Sequence, residues 1–305
     1  MTPVCDCRSD FLTVNGVRLQ ALDWGGNGPT MILLAGFANT PHFFNSLAGA
    51  FTDRFHVLGL TRRAHGESEQ PDSGYDLETL TADIIALMDA KDIDKATVVG
   101  HSFAGMEMTT LAANYPDRLD KLVFLDALYE YADSDVELFG SDPLPAATPP
   151  PESFASVADY CEDLVNRYVT YRPLRSPRWD ELWGLTLKQR EDGRFVEIIR
   201  PETAGQLFKA MGGYHADLTT IRCPTLAIFA TQTAAWSMPE NASQELQQDV
   251  TDFIERLNRD YRNRNIERAR NEVPNVNVVV YEDTSHYCFL DREADVIAAM
   301  KSFLM

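Results

Sequence analysis

The chain has 305 residues, 45% hydrophobic and 24% charged, long enough for one large α/β domain with a sizeable core and too ordinary in composition for wholesale disorder. Its 27 Lys and Arg stand against 46 Asp and Glu, a formal charge of −19. A surface that negative repels phosphate backbones and anionic lipid, so neither nucleic acid nor a membrane is expected as a partner; the charge says nothing about fold.

The N-terminal stretch MTPVCDCRSDF lacks a basic region followed by an apolar one, so no secretory signal is expected, and no apolar run approaches a membrane span. A cytoplasmic protein is the resulting expectation. Cys5 and Cys7 form a C-x-C pair; with Cys161, Cys223 and Cys288 they make an odd, scattered set that does not read as a disulfide framework. No second Cys or His cluster stands near the pair to complete a metal site.

FLTVNGVRLQALDW reads as two strands around Asn15-Gly16, a strong hairpin signal. TMILLAG is a short continuous apolar run, the pattern of a strand buried on both faces; FHVLGL, ATVVG, KLVFLDA, PTLAIFA and VNVVVYE repeat it. Helical patterns lie between or after them, over roughly 41–51, 77–90, 103–114 and 291–304. Strands alternating with helices predict a doubly wound, mostly parallel sheet of about eight strands covered on both faces.

The alternation breaks after Ala127. The next buried-strand pattern begins at Pro224, and a structureless loop of that length inside a compact domain is not expected. We therefore read 128–219 as an inserted helical cap, with 1–127 and 220–305 forming the core. Its proline-rich stretch from Pro143 to Pro151 carries no packing pattern and should be the most mobile part. A second long stretch, ENASQELQQDVTDFIERLNRDYRNRNIERARNEV, has the charge pattern of a solvated outer helix or helix pair.

The chemistry centres on VVGHSFAGMEM. Ser102 lies between Gly100 and Ala104, after an apolar strand and before a helix, the context of a nucleophile elbow. Such a turn is too tight for large flanking side chains. It lifts the hydroxyl above the strand ends, beside helix N–H groups that favour an oxyanion. A strand–helix turn that merely needs glycine is the bland alternative.

With these features in this order, the chain resembles the α/β-hydrolase fold superfamily over essentially its whole length. LLAGFANT stands where that family has its oxyanion loop, with Ala35 in place of the usual His of a His-Gly pair. The resemblance implies that the backbone N–H groups of Phe37 and Phe103 form the oxyanion hole. TRRAHGESEQP resembles the turn after the fourth strand, with Thr61 for the usual Asp and Ala64 for one usual Gly. His286, between the last strand and the terminal helix, is where the family keeps its base.

The acid departs from the commonest pattern. The loop after PTLAIFA, from Thr231 to Trp236, holds no carboxylate before Glu240. The strand before it ends in Leu125-Asp126-Ala127, a position some hydrolases of this fold use. Asp126 is the preferred acid and keeps the order Ser, Asp, His; Glu240, Asp133, Asp135 and a weakened triad remain alternatives.

Phe37, Phe43, Phe44, Phe103, Tyr129 and Tyr131 fall near the inferred strand ends, with Trp179, Trp183 and Tyr214 in the cap. Gly36, Tyr129 and Trp183 are the candidate pocket residues of a mostly apolar site. Arg62 and Arg63 read as structural ion pairs before they read as substrate ligands. The expected protein is a serine hydrolase of a small ester or lactone, with Ser102, Asp126 and His286 as its triad. No cofactor or metal is expected, and a homodimer stays open. A lyase, a cofactor-free perhydrolase and a ligand-binding receptor of the same fold are the alternatives.

Overall fold

The computed structural model describes residues 7–130, 133–144, 151–212 and 214–305. Cys5, Tyr131 and residues 145–150 of the proline-rich stretch, where mobility is expected, lie outside these.

The strands are β1 (Arg8–Val14), β2 (Val17–Gly25), β3 (Thr30–Leu34), β4 (His56–Leu60), β5 (Ala96–His101), β6 (Leu119–Leu125), β7 (Leu187–Gln189), β8 (Phe195–Glu197), β9 (Thr225–Thr231) and β10 (Val276–Glu282). Among the described residues, eight form one sheet in the order β1-β2-β4-β3-β5-β6-β9-β10. Within this sheet β2 runs antiparallel to β1 and β4, and the other pairings are parallel. Asn15 and Gly16 both take positive φ, 52° and 75°, which a two-residue hairpin whose turn matches strand twist requires.

The helices are α1 (Asn45–Gly49), α2 (Leu77–Ala90), α3 (Ala104–Asn114), α4 (Asp133–Gly140), α5 (Val157–Arg167), α6 (Pro177–Gly184), α7 (Pro201–Met211), α8 (Ala234–Ser237), α9 (Gln244–Arg256), α10 (Asn263–Glu272), α11 (Cys288–Asp291) and α12 (Glu293–Leu304). Alternate residues of one strand serve opposite faces. Met31 and Leu33 pack with Phe43, Leu47 and the α12 residues Val296 and Met300. Ile32 and Leu34 pack with Leu87 and Met88 of α2, Met108 and Leu111 of α3, and Ile266 of α10. Both faces are thus dry, which is why these strands read as unbroken apolar runs.

The chain leaves β3 for β4 on one side and returns to β5 on the other. In an open parallel sheet this reversal leaves a crevice at the carboxyl ends of the strands. The loop after β3 and the turn after β5 meet there.

Two expectations need correction. The insertion between β6 and β9 is not wholly helical, because β7 and β8 pair antiparallel inside it. Strands of three residues are too short to register against the surrounding helical pattern. The charged stretch forms a helix pair, one of the two expected forms, but not a wholly solvated one: α9, a π-helical turn at Leu257–Arg262 and α10 follow one another, with Val250, Phe253, Ile254, Leu257 and Tyr261 buried along one face. The apolar stripe is narrow, and the charges around it mask it in composition. Among the described residues no helix is long and apolar enough to cross a membrane.

Candidate active site

Ser102 sits at the end of β5 with φ of 55°, in the left-handed region that a non-glycine residue rarely occupies. The turn is closed by a hydrogen bond from Gly105 N–H to Ser102 O at 2.9 Å. A Cβ on Gly100 would meet Met108 Sδ at 2.3 Å and Ala104 Cβ at 2.9 Å. Gly105 is stricter: a Cβ there would lie 1.7 Å from the backbone oxygen of Ala127, where nothing can yield. Gly36, expected in the pocket, is a close-approach residue, since its Cβ would stand 3.1 Å from that of Ser102.

β5 and β6 pair so that His101 faces Leu125, which puts Ser102 and Asp126 at matching positions one residue beyond adjacent strands. Asp126 also takes a positive φ, 47°. Its N–H donates to Ile228 O at 2.7 Å, and both oxygens of its carboxylate accept hydrogen bonds. Oδ1 accepts from Ala230 N–H at 2.8 Å and from the Tyr129 hydroxyl at 2.5 Å; Oδ2 accepts from His286 Nδ1 at 2.6 Å. Burial pushes this carboxyl up. The hydrogen bond and charge of His286, the Arg262 charge and the Tyr129 hydroxyl outweigh it and hold the pKa below the usual carboxylate value. With Nδ1–H spent on Asp126, Nε2 is the free basic nitrogen of His286.

The other acids lie elsewhere. Glu240 is 79% exposed, 3.6 Å from Arg172. Asp135 holds Arg264 through both oxygens, at 3.0 and 2.6 Å. The side chain of Asp133 is outside the described residues. The loop after β9 is instead tied down by Asp283, which accepts from Thr233 Oγ1 and Trp236 Nε1.

Sequence reasoning gave His101 no role. It is buried, its ring centroid lies 4.4 Å from that of His286, and its Nε2–H donates to the His286 carbonyl at 2.9 Å. Burial and the neighbouring His286 hold its pKa well below the ordinary histidine value, so it is a neutral prop beneath His286. Asp291 fixes the same loop by accepting from Thr284 Oγ1 and Ser285 N–H. These contacts place His286 beside the residue preceding Ser102. A Ser102 Oγ–Nε2 hydrogen bond is not among those closed in the described residues; such contacts commonly tighten only around substrate.

The loop after β3 turns at Gly36–Asn39, with Asn39 N–H donating to Gly36 O at 3.2 Å and Ala38 at φ of 58°. Among the described residues, the N–H groups of Phe37 and Phe103 donate to no backbone acceptor outside regular elements. That of Phe103 opens α3, where the helix dipole favours an anion. His65 donates from Nδ1 to Arg63 O at 3.0 Å and accepts from Ala38 N–H at Nε2, 3.2 Å. Burial and the Arg62 charge lower its pKa to about 3. Arg62 pairs with Glu107 and Arg63 with Asp83, all four side chains buried, so both arginines are structural.

That neutral His65 has a measurable consequence. Its folded pKa is far below the unfolded value of about 6.5. Between the two the unfolded chain binds the extra proton, so stability is full above about pH 6.5 and falls as the pH falls, by up to about 1.4 kcal/mol per unit. Urea midpoints of wild type and His65→Gln at pH 7.5 and 5 should show the smaller loss in the variant; equal losses would remove His65 as the cause.

The aromatic candidates divide. Phe43, Trp179 and Trp183 pack around Tyr287, and Phe44 against Phe289, inside the core. Phe37 packs at 4.8 Å on Phe208 of α7, and Tyr214 hydrogen-bonds Thr109 of α3, so the insertion contacts both sides of the elbow. Among the described residues no group of three or more His, Cys, Asp or Glu side chains could hold a metal ion.

The α/β-hydrolase fold family model matches residues 29–301. A 2-(acetamidomethylene)succinate hydrolase from Mesorhizobium japonicum is 33% identical over 101 residues, covering 33% of this chain and 36% of that protein. The chain thus spans about a third of the length of the first curated relatives it matches. The crystal structure of E-2-(acetamidomethylene)succinate hydrolase superposes with a TM-score of 0.72 at 19% identity, over 98% of this chain and 99% of that one. An enol-lactonase from Burkholderia xenovorans LB400 superposes with a TM-score of 0.60 at 19% identity, over 97% and 99% of the two chains. At these identities the likeness carries the fold.

Proposed function

The chain belongs to the α/β-hydrolase fold family, and from that premise we propose that it is a serine hydrolase cleaving a carboxylic ester or lactone through an acyl-enzyme. One observation carries the reading: Ser102 on a left-handed elbow shares one sheet edge with a His286 whose Nδ1 is held 2.6 Å from a buried Asp126 carboxylate.

Ser102 Oγ attacks the substrate carbonyl while His286 Nε2 takes its proton. The negative charge that develops on the carbonyl oxygen is met by the N–H groups of Phe37 and Phe103. Collapse expels the alcohol, which receives the proton from His286. Water then attacks the acyl-enzyme by the same route in reverse, with His286 first taking a proton from water and then returning one to Ser102. Asp126 holds the tautomer and stabilises the imidazolium. Segment 128–219 acts as a cap over this edge. The paired state of Arg62 and Arg63 removes two cations that could have met a substrate carboxylate, which favours an uncharged substrate.

A panel of esters and lactones of graded acyl length tests this, with 2-(acetamidomethylene)succinate, the acidic enamide in the relative's name, run beside it as a non-ester comparison. Burst release of p-nitrophenol followed by steady turnover is the expected result. No burst and no turnover anywhere on the panel would replace the hydrolase with a receptor or a lyase of the same fold.

A further inference from the structure

We propose that Arg62 is a positioning residue that aims the oxyanion hole by holding the carbonyls of Ala35 and Gly36. The inference rests on the serine-hydrolase reading and deepens it.

Arg62 is buried at the turn after β4, and its five donors are spread over one cluster. Nε and Nη2 each donate to Glu107 at 2.6 Å. Nη2 also donates to Ala35 O at 2.8 Å, and Nη1 to Gly36 O at 3.3 Å. The guanidinium carbon stands 4.7 Å from the centroid of the Phe103 ring. One side chain therefore touches the loop carrying one inferred oxyanion donor, the residue carrying the other, and, through Glu107 of α3, the helix that begins behind Ser102.

The peptide group supplies the mechanism. Gly36 C=O and Phe37 N–H are opposite ends of one planar, trans unit. Holding the oxygen fixes the direction of the hydrogen. A cation on the oxygen also polarises the amide and makes its N–H a stronger donor. The next peptide is pinned as well, because Ala38 N–H donates to the neutral Nε2 of His65. Both peptides flanking Phe37 are thus fixed before any charge develops, and preorganisation of this kind is what makes an oxyanion hole effective. Lysine cannot do the same work: an ammonium is a point donor and cannot span a carboxylate and two carbonyls as a planar fork does.

A fluorophosphonate probe tests the idea without knowledge of the natural substrate, because its phosphoryl oxygen occupies the oxyanion hole as the serine adduct forms. The labelling rate at Ser102 is measured for wild type, Arg62→Lys and the double variant Arg62→Gln/Glu107→Gln, which leaves no unpaired buried charge. Removing one oxyanion donor costs about 10²–10³-fold. A misdirected donor should cost roughly 10- to 100-fold in the limiting rate, with the half-saturating probe concentration unchanged. Melting temperatures are recorded in parallel, and a loss of stability with the wild-type limiting rate retained overturns the proposal.

A second measurement needs no variant. The Phe37 and Ala38 amides of the free wild-type protein should show order parameters near 0.85, typical of rigid backbone; values below about 0.6 overturn the proposal even where a variant fails to fold. Wild type left unlabelled at Ser102 would overturn the serine-hydrolase reading itself, a result distinct from equal labelling of wild type and variants, which would overturn only the role of Arg62.

Discussion

Ser102→Ala is expected to lower kcat by on the order of 10⁶-fold, the scale seen when a triad nucleophile is removed, with little change in stability. Ser102 is only half-buried, and its place in the turn is held by backbone: the Gly105 N–H bond to its carbonyl and the close packing of Gly105 on Ala127. Alanine keeps those contacts and suffers the same left-handed φ. A glycine at this position relieves that conformation, worth about 1–2 kcal/mol for an L-residue, so Ser102→Gly should be as inactive as the alanine variant and melt above it. A fluorophosphonate should label wild type at Ser102 alone. The competing nucleophile, Cys288, is buried, and burial together with the charge of Asp126 holds its thiol pKa well above the usual value, so it stays protonated. Mass spectrometry that found the adduct on Cys288, with activity intact in Ser102→Ala, would remove Ser102 as nucleophile.

What the sequence displays of this molecule is what local pattern encodes. β3, β5 and β9 declare themselves because strands buried on both faces must be apolar throughout, and Asn15-Gly16 declares its hairpin because few residue pairs take positive φ twice. Ser102 stands out for the same reason: the elbow imposes a steric requirement on residues two positions away. The supporting shell leaves no such trace. His101 props His286 across 185 residues of chain and Arg62 grips Glu107 across 45, and each is an ordinary residue type at an unremarkable spacing. Tyr129 was read as a pocket aromatic, yet its hydroxyl is bound to Asp126. Composition could rank the aromatic but not say which way its polar end points. The buried face of α9 was hidden because charge dominates its surroundings, and a stripe is visible only when its period is counted.

Asp126→Asn should leave the fold intact and lower kcat by up to roughly 10⁴-fold at neutral pH, as in other triads, and the local hydrogen bonds say why. Among the described residues, Oδ1 accepts two donors, Ala230 N–H and the Tyr129 hydroxyl, whereas Oδ2 accepts from His286 Nδ1 alone. An asparagine placed here must turn its carbonyl oxygen toward the two donors, because an NH₂ there would confront the Ala230 N–H with another hydrogen. Its NH₂ then faces Nδ1 and can only donate. Nδ1 must become the acceptor, and the proton moves to Nε2, the nitrogen that has to receive the serine proton. The variant is thus locked in the unproductive tautomer by contacts unrelated to the substrate. ¹⁵N spectra of His286 should show Nδ1–H in wild type and Nε2–H in Asp126→Asn. Glu240→Gln, at an exposed carboxylate paired with Arg172, should leave kcat unchanged. Near-wild-type turnover in Asp126→Asn, or a damaging Glu240 change, would take the role of acid away from Asp126; retained Nδ1–H in an inactive variant would instead leave lost imidazolium stabilisation, not the tautomer, as the cause.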